Sequence, residues 1–167
     1  MLHYNWLVII GTGVIPLLTG FVWYNTKVFG NAWMKASGMT MEKAQGSNMP
    51  LIFGLTFVFG VFVAMAMMPI VIHQMGYFSI LADNKDMLDP NSEVSKAAQA
   101  FMNVNGSNFR TFKHGAFHGT LTALFFAMPV VGIMGLFEAK GRNYILVHTG
   151  YWVLTLALMG GVICAFG

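Results

Sequence analysis

Apolar residues fill four long stretches of the chain, and the charged residues stand between them. No Asp, Glu, Lys or Arg occurs in 1–26, 44–82, 114–137 or 143–167. Each stretch holds the ~20 mostly apolar residues that a helix needs to cross the hydrocarbon core of a bilayer. A buried helix of a soluble protein keeps a polar outer face, whereas these are apolar all round. The pattern predicts an all-α fold, a membrane-embedded four-helix bundle in one domain over 1–167, with spans at about 6–24, 50–72, 116–137 and 144–166.

Local signals refine each span. Pro16 predicts a bend in the first span, and Gly11, Gly13 and Gly20 provide small surfaces for close helix packing. Trp6 at one end and Trp23 and Tyr24 at the other suit the headgroup belts, and Trp33 and Trp152 are assigned to interfaces as well. Lys27, Lys35 and Lys43 mixed with aromatic residues predict an interfacial helix over 28–36, and Thr40 opens a further short turn. Pro50 suits the first turn of the second span, while Pro69 loosens its far end. Met65, Met67 and Met68 read as adaptable filler, with a cuprous site as the alternative.

The polar loop 75–113 carries Val94, Ala97, Ala98, Phe101 and Met102 at helical spacing, so an amphipathic helix is expected over 90–102. That face must dock on the membrane, the bundle or a second subunit. Pro129 bends the third span, and the short link Glu138–Asn143 makes the third and fourth spans an antiparallel hairpin.

Composition agrees: 56% of residues are apolar and only 9% charged, against roughly 25% charged in soluble domains. A net charge of +3 spread along the chain excludes a nucleic-acid partner and leaves lipid headgroups as the anionic surface. Cys164 stands alone, so no disulfide and no Cys-based metal site forms within one chain. The first span lacks a basic flank and a cleavage site and is expected to stay in place. Lys27, Lys35, Lys43, Lys140 and Arg142 lie on one side of a four-span topology. The positive-inside rule puts that side in the cytoplasm and both termini outside.

Candidate chemistry gathers on the other side. His114 and His118 are four apart, one face of a helix, and two imidazoles so placed chelate a metal. Parity brings His73 and His3 to the same end, and Asp83, Asp86, Asp89 and Glu93 offer oxygen ligands there. Such a set favours zinc, nickel or ferrous iron, with haem ligation as an alternative. The bland reading is packing, since Gly115 and Gly119 in the same heptapeptide form a close helix-packing patch, with Gly160 as a further packing glycine. His148, near the opposite face, is expected to bond within the bundle. Ion-coupled carriers keep ionisable groups inside the membrane. Mid-span, this chain offers only hydroxyls, those of Thr12, Thr19, Thr56, Thr120, Thr122 and Thr155.

Trp6, Gly20, Trp23-Tyr24, Phe29-Gly30, Ala32-Trp33-Met34-Lys35 and Gly38, with Gly141-Arg142, Gly150-Tyr151-Trp152 and Met159-Gly160, resemble domain-of-unknown-function family 1761 over about 1–74 and 116–167. The resemblance implies a small four-span bacterial inner-membrane protein and supplies no activity. About forty residues join spans two and three where the family has a short connection. The leading expectation is a non-enzymatic accessory or scaffold subunit, associating as a homo-oligomer or with other membrane subunits. A metal- or haem-binding protein using His73, His114 and His118 comes second, and a small transporter or channel for a neutral solute third.

Overall fold

The computed structural model describes residues 4–167, so His3 lies outside the described residues. Four helical segments are long and apolar enough to cross a membrane: Trp6–Trp23, Met49–Val71, Phe112–Phe137 and Arg142–Phe166. No strand occurs among the described residues. Large apolar side chains such as Phe59, Phe62, Phe125 and Phe137 are exposed on the outer faces, which suits contact with lipid rather than water. The chain is an all-helical bundle with the architecture of a multi-pass membrane protein.

The first span is two helices, α1 (Trp6–Thr12) and α2 (Ile15–Trp23), with Pro16 in the first turn of α2. The Pro16 ring opposes the Thr12 carbonyl four residues back, and the chain stops at Thr12 and restarts three residues later. The expected bend is therefore a break just ahead of the proline. It rests against α5 (Met49–Val71), where a Cβ on Gly60 would fall on the Gly13 carbonyl. Only a hydrogen at that position lets the two backbones meet.

Between them, α3 (Gly30–Ser37) occupies the expected interfacial segment, and α4 (Met41–Gln45) is capped by the Thr40 hydroxyl, which accepts the Lys43 N–H at 3.2 Å. Asn48 caps α5 in the same way, and Pro50 sits in its first turn. The helix runs two residues past Pro69 and ends at Val71.

The polar loop holds more structure than its composition suggests: α6 (Gln74–Leu81), a 3-10 turn at Lys85–Leu88, and α7 (Glu93–Asn105). The helix expected over 90–102 starts three residues later because Ser92 is its cap, accepting the Ser95 N–H at 3.0 Å. Asp89 instead accepts the Asn91 N–H in a local turn. The apolar face of α7 docks on its own chain, with Phe101 stacked on Tyr77 of α6 at 4.2 Å and Ala98 buried.

The third span comprises α8 (Phe112–Thr122), a π turn at Ala123–Ala127 and α9 (Met128–Phe137). It begins earlier than 116 because Thr111 caps it. Pro129 opposes the carbonyl of Phe125, and that residue lies in the widened turn, which relieves the clash.

The fourth span, α10 (Arg142–Phe166), is the axis of the bundle, and half of its apolar window is buried, against 11% for the third span. It meets α8 along a glycine seam: a Cβ on Gly115 would fall on the Gly160 carbonyl, and one on Gly119 on that of Leu156. Against α2 the contact is polar. Buried Thr19 and Thr155 share a hydrogen bond of 2.8 Å, and the Tyr151 hydroxyl donates to the Pro16 carbonyl at 2.9 Å. Such bonds between membrane helices contribute about 0.6 kcal/mol each on average. Met67, Met68, Met159 and Ile163 fill the core beside this seam, so Met67 and Met68 are packing residues, while Met65 faces outward.

Two of the sequence assignments change. Gly11 is no packing glycine within the chain, because it lies on the outer face and a Cβ there would meet nothing within 4 Å. Gly20 makes ordinary contact with the Tyr151 ring at 3.7 Å. Trp152 is no interface anchor, because it follows Arg142 by ten residues on α10, about 15 Å into the span, where it packs on the core. Trp6, half exposed, remains at the end of its span.

Candidate metal centre

The glycine seam orients the histidines. On α8, His114 and His118 each precede a seam glycine by one residue, a rotation of about 100° around the helix. With Gly115 and Gly119 pressed on α10, the imidazoles point sideways, toward the end of α5. There the chain leaves α5 at Ile72 and places His73 at the start of α6, where its ring caps nothing. Packing and chelation, opposed as readings of one heptapeptide, occupy neighbouring faces of the same helix.

The three rings pack edge to edge. Centroids stand 4.8 Å apart for His73 and His114, 4.9 Å for His73 and His118, and 4.5 Å for His114 and His118. One nitrogen from each lies within 4.8 Å of the other two, and the Nε2 atoms of His73 and His114 are 3.4 Å apart. Two nitrogens bound to one tetrahedral ion at zinc distances stand about 3.3 Å apart, so this pair already has chelating separation. The His118 ring stands at the third position, its centroid 4.9 Å from that of His73 and 4.5 Å from that of His114. Without an ion, one ring of the pair must donate to the other in a long hydrogen bond.

Chain outside the site holds it in shape. The Gln74 amide donates to the carbonyls of Asn105 and Asn108 at 3.1 and 2.9 Å, tying the residue after His73 to the approach of α8. The buried Cys164 thiol, on α10, donates toward the carbonyls of Val71 and Phe109, each at 3.2 Å. Phe109 has φ 63°, a left-handed conformation rare for a bulky residue. Its ring lies 5.0 Å from that of His114 and 5.9 Å from that of His73. None of Gln74, Phe109 and Cys164 carried a sequence signal for this role, since each acts through the fold.

Lys113 neighbours His114 in sequence, and the Arg110 guanidinium donates to the Gly167 carbonyl at this end. Burial raises the Tyr4 phenol above its ordinary value there, with Arg110 pulling it the other way. The acids proposed as oxygen ligands do not converge here: among the described residues the cluster consists of the three histidines, and Glu93 pairs with Lys96 at 3.1 Å. Haem held between two of these histidines fits poorly. Three imidazoles packed at these separations leave no slot between them for a macrocycle.

His148 contrasts with this group. It lies at the opposite end, where its Nδ1 is 3.0 Å from the Tyr24 hydroxyl. Trp23 donates to the Val147 carbonyl at 3.1 Å and covers Gly150, Trp33 packs on Tyr24, and Lys140 donates to the Ser37 carbonyl. These aromatic residues fasten that end of the bundle.

The sequence matches the family described as "Protein of unknown function (DUF1761)" over residues 7–164, a match that runs through the polar loop. No curated protein and no solved structure matches the chain. The chain therefore belongs to the DUF1761 family, and its three-histidine cluster stands within the family region.

Proposed function

We propose that this protein binds a transition-metal ion at one end of its membrane bundle, through His73, His114 and His118. One observation carries the reading: three imidazoles from two parts of the chain converge with nitrogens within 4.8 Å, the Nε2 atoms of His73 and His114 being 3.4 Å apart. Imidazole suits zinc, copper, nickel and iron. Three protein ligands leave a fourth position open, the arrangement of sites that act on a bound molecule rather than merely stiffen a fold. His73, the exposed member, lies on the open side.

The accessory-subunit expectation has less support. Gly13, Gly115, Gly119 and Gly160, which suggested assembly, pack inside one chain, and Phe101 of α7 stacks on Tyr77 of α6. A solute path is also poorly supported, since Thr12, Thr120 and Thr122 donate to their own helix backbones and Thr19 pairs with Thr155. The family resemblance implies a bacterial inner membrane, and the charge distribution favours the centre and both termini on its outer side.

The test is elemental analysis of protein purified in mild detergent after exposure to Zn2+ and gel filtration. Wild type should retain one equivalent per chain, and His73→Ala, His114→Ala and His118→Ala close to none. Equal, negligible zinc in all four proteins overturns the reading. Protons compete for the same nitrogens, so retained zinc should fall as the pH drops through the imidazole range.

A further inference from the structure

A groove with a volume of about 610 Å³ opens on the lipid-facing side between α5 and the third span, with Trp152 and Leu156 of α10 also lining it. That volume lies within the range of small-molecule sites. Val63, Ala66 and Ile70 line one side; Thr122, Phe126 and Val130 line the other. Thr122 carries the hydroxyl in this lining, and it donates to the His118 carbonyl at 2.8 Å, so the groove asks for an occupant without polar atoms.

Both walls lead to the histidines. His73 follows Ile70 by three residues, and His118 precedes Thr122 by four on the same face of α8. The groove therefore ends about one helical turn, some 5.4 Å along the axis, from the three imidazoles. No histidine lines the groove itself; the centre lies about one turn beyond its end.

We propose that the groove and the three-histidine centre form a single site for a long-chain carboxylate, its head on the metal ion and its tail along the groove. The proposal rests on the metal reading above. Charge selects the head group. Three neutral imidazoles leave both positive charges of a divalent ion uncompensated, and no carboxylate of the described residues joins the cluster. An anionic oxygen ligand in the open position relieves that imbalance at the edge of a low-dielectric region. The single groove selects one tail, which disfavours a two-chain phospholipid.

The test uses Co2+-loaded protein in nanodiscs, because the visible absorption of Co2+ reports its ligands. Sodium palmitate should change the spectrum at concentrations far below those needed for sodium acetate. Ala66→Trp and, from the opposite wall, Val130→Trp fill the groove without touching a histidine. Both variants should still bind one Co2+ with the wild-type spectrum, while palmitate becomes at least about tenfold weaker, a difference of roughly 1.4 kcal/mol, and acetate is unchanged. Since palmitate partitions equally into all the nanodiscs, the loss isolates the groove. If Co2+ binds but the Trp variants respond to palmitate like wild type, the inference is wrong and the metal reading stands. If Co2+ does not bind, both fail. If palmitate is inert and native mass spectrometry finds a dimer that Ala66→Trp dissolves, the groove belongs to a second copy and the inference is overturned.

Discussion

Histidine has opposite surroundings at the two ends of this bundle. At one end His148 has a Tyr24 hydroxyl 3.0 Å from its Nδ1 and aromatic rings packed around it. At the other, His73, His114 and His118 face one another, and the 3.4 Å contact between the first two needs one ring to donate and the other to accept. A histidine with a hydroxyl partner needs nothing more from its surroundings. Three imidazoles facing one another bring one nitrogen each within 4.8 Å of the other two, an arrangement a metal ion can satisfy. What separates the ends is the neighbouring polar partner, a tyrosine hydroxyl at one and other imidazoles at the other.

The largest effects should come from breaking that contrast. Loss of the outer partner of a metal ligand typically costs 10–100-fold in affinity, so removing a ligand itself should cost on the order of 100-fold or more. His73→Ala, His114→Ala and His118→Ala should each show this in competition with a chelator of known affinity. His148→Ala should bind metal like wild type; a matching loss there would erase the distinction between the ends.

Next comes the seam that aims the histidines. Gly119→Leu drives a side chain into the Leu156 carbonyl, a backbone atom that has nowhere to go. It should lower stability by about 3 kcal/mol, the upper end for overpacking, and reduce metal binding with it. Gly11→Leu projects into open space and should change stability by less than about 0.5 kcal/mol. Thermal unfolding in detergent compares the two, and equal losses would mean that α8 and α10 do not meet at Gly119.

A smaller effect is expected at the satisfied end. Tyr24→Phe removes the partner of His148 and should cost about 1 kcal/mol without altering metal affinity. The smallest effect concerns Phe109. Because its φ is 63°, Phe109→Gly should be about 1 kcal/mol more stable than Phe109→Ala, the reverse of the order in a helix. The reverse result would place Phe109 in an ordinary conformation.

The spans were readable because each is a charge-free run, and the first, second and fourth begin within two residues of the positions expected from sequence. Caps moved the others: Thr111 starts α8 ahead of 116, and Ser92 starts α7 after 90. The short α6 was hidden because its residues carry no strong period, and it is fixed by Tyr77 stacking on a helix more than twenty residues away. In the candidate centre, the spacing of four made His114 and His118 legible and parity brought in His73. The positions of Phe109, Gln74 and Cys164 depend on contacts across the bundle that no local pattern encodes. Trp152 misled because tryptophan is common at interfaces, whereas its depth is set by where α10 begins.

X-ray absorption at the zinc edge of the Zn2+-loaded protein tests the central claim most directly. Three imidazole nitrogens at about 2.0 Å and one further light ligand are expected, with the outer-ring scattering of histidine lost in His114→Ala. A hydrated six-coordinate ion without imidazole scattering would contradict the account.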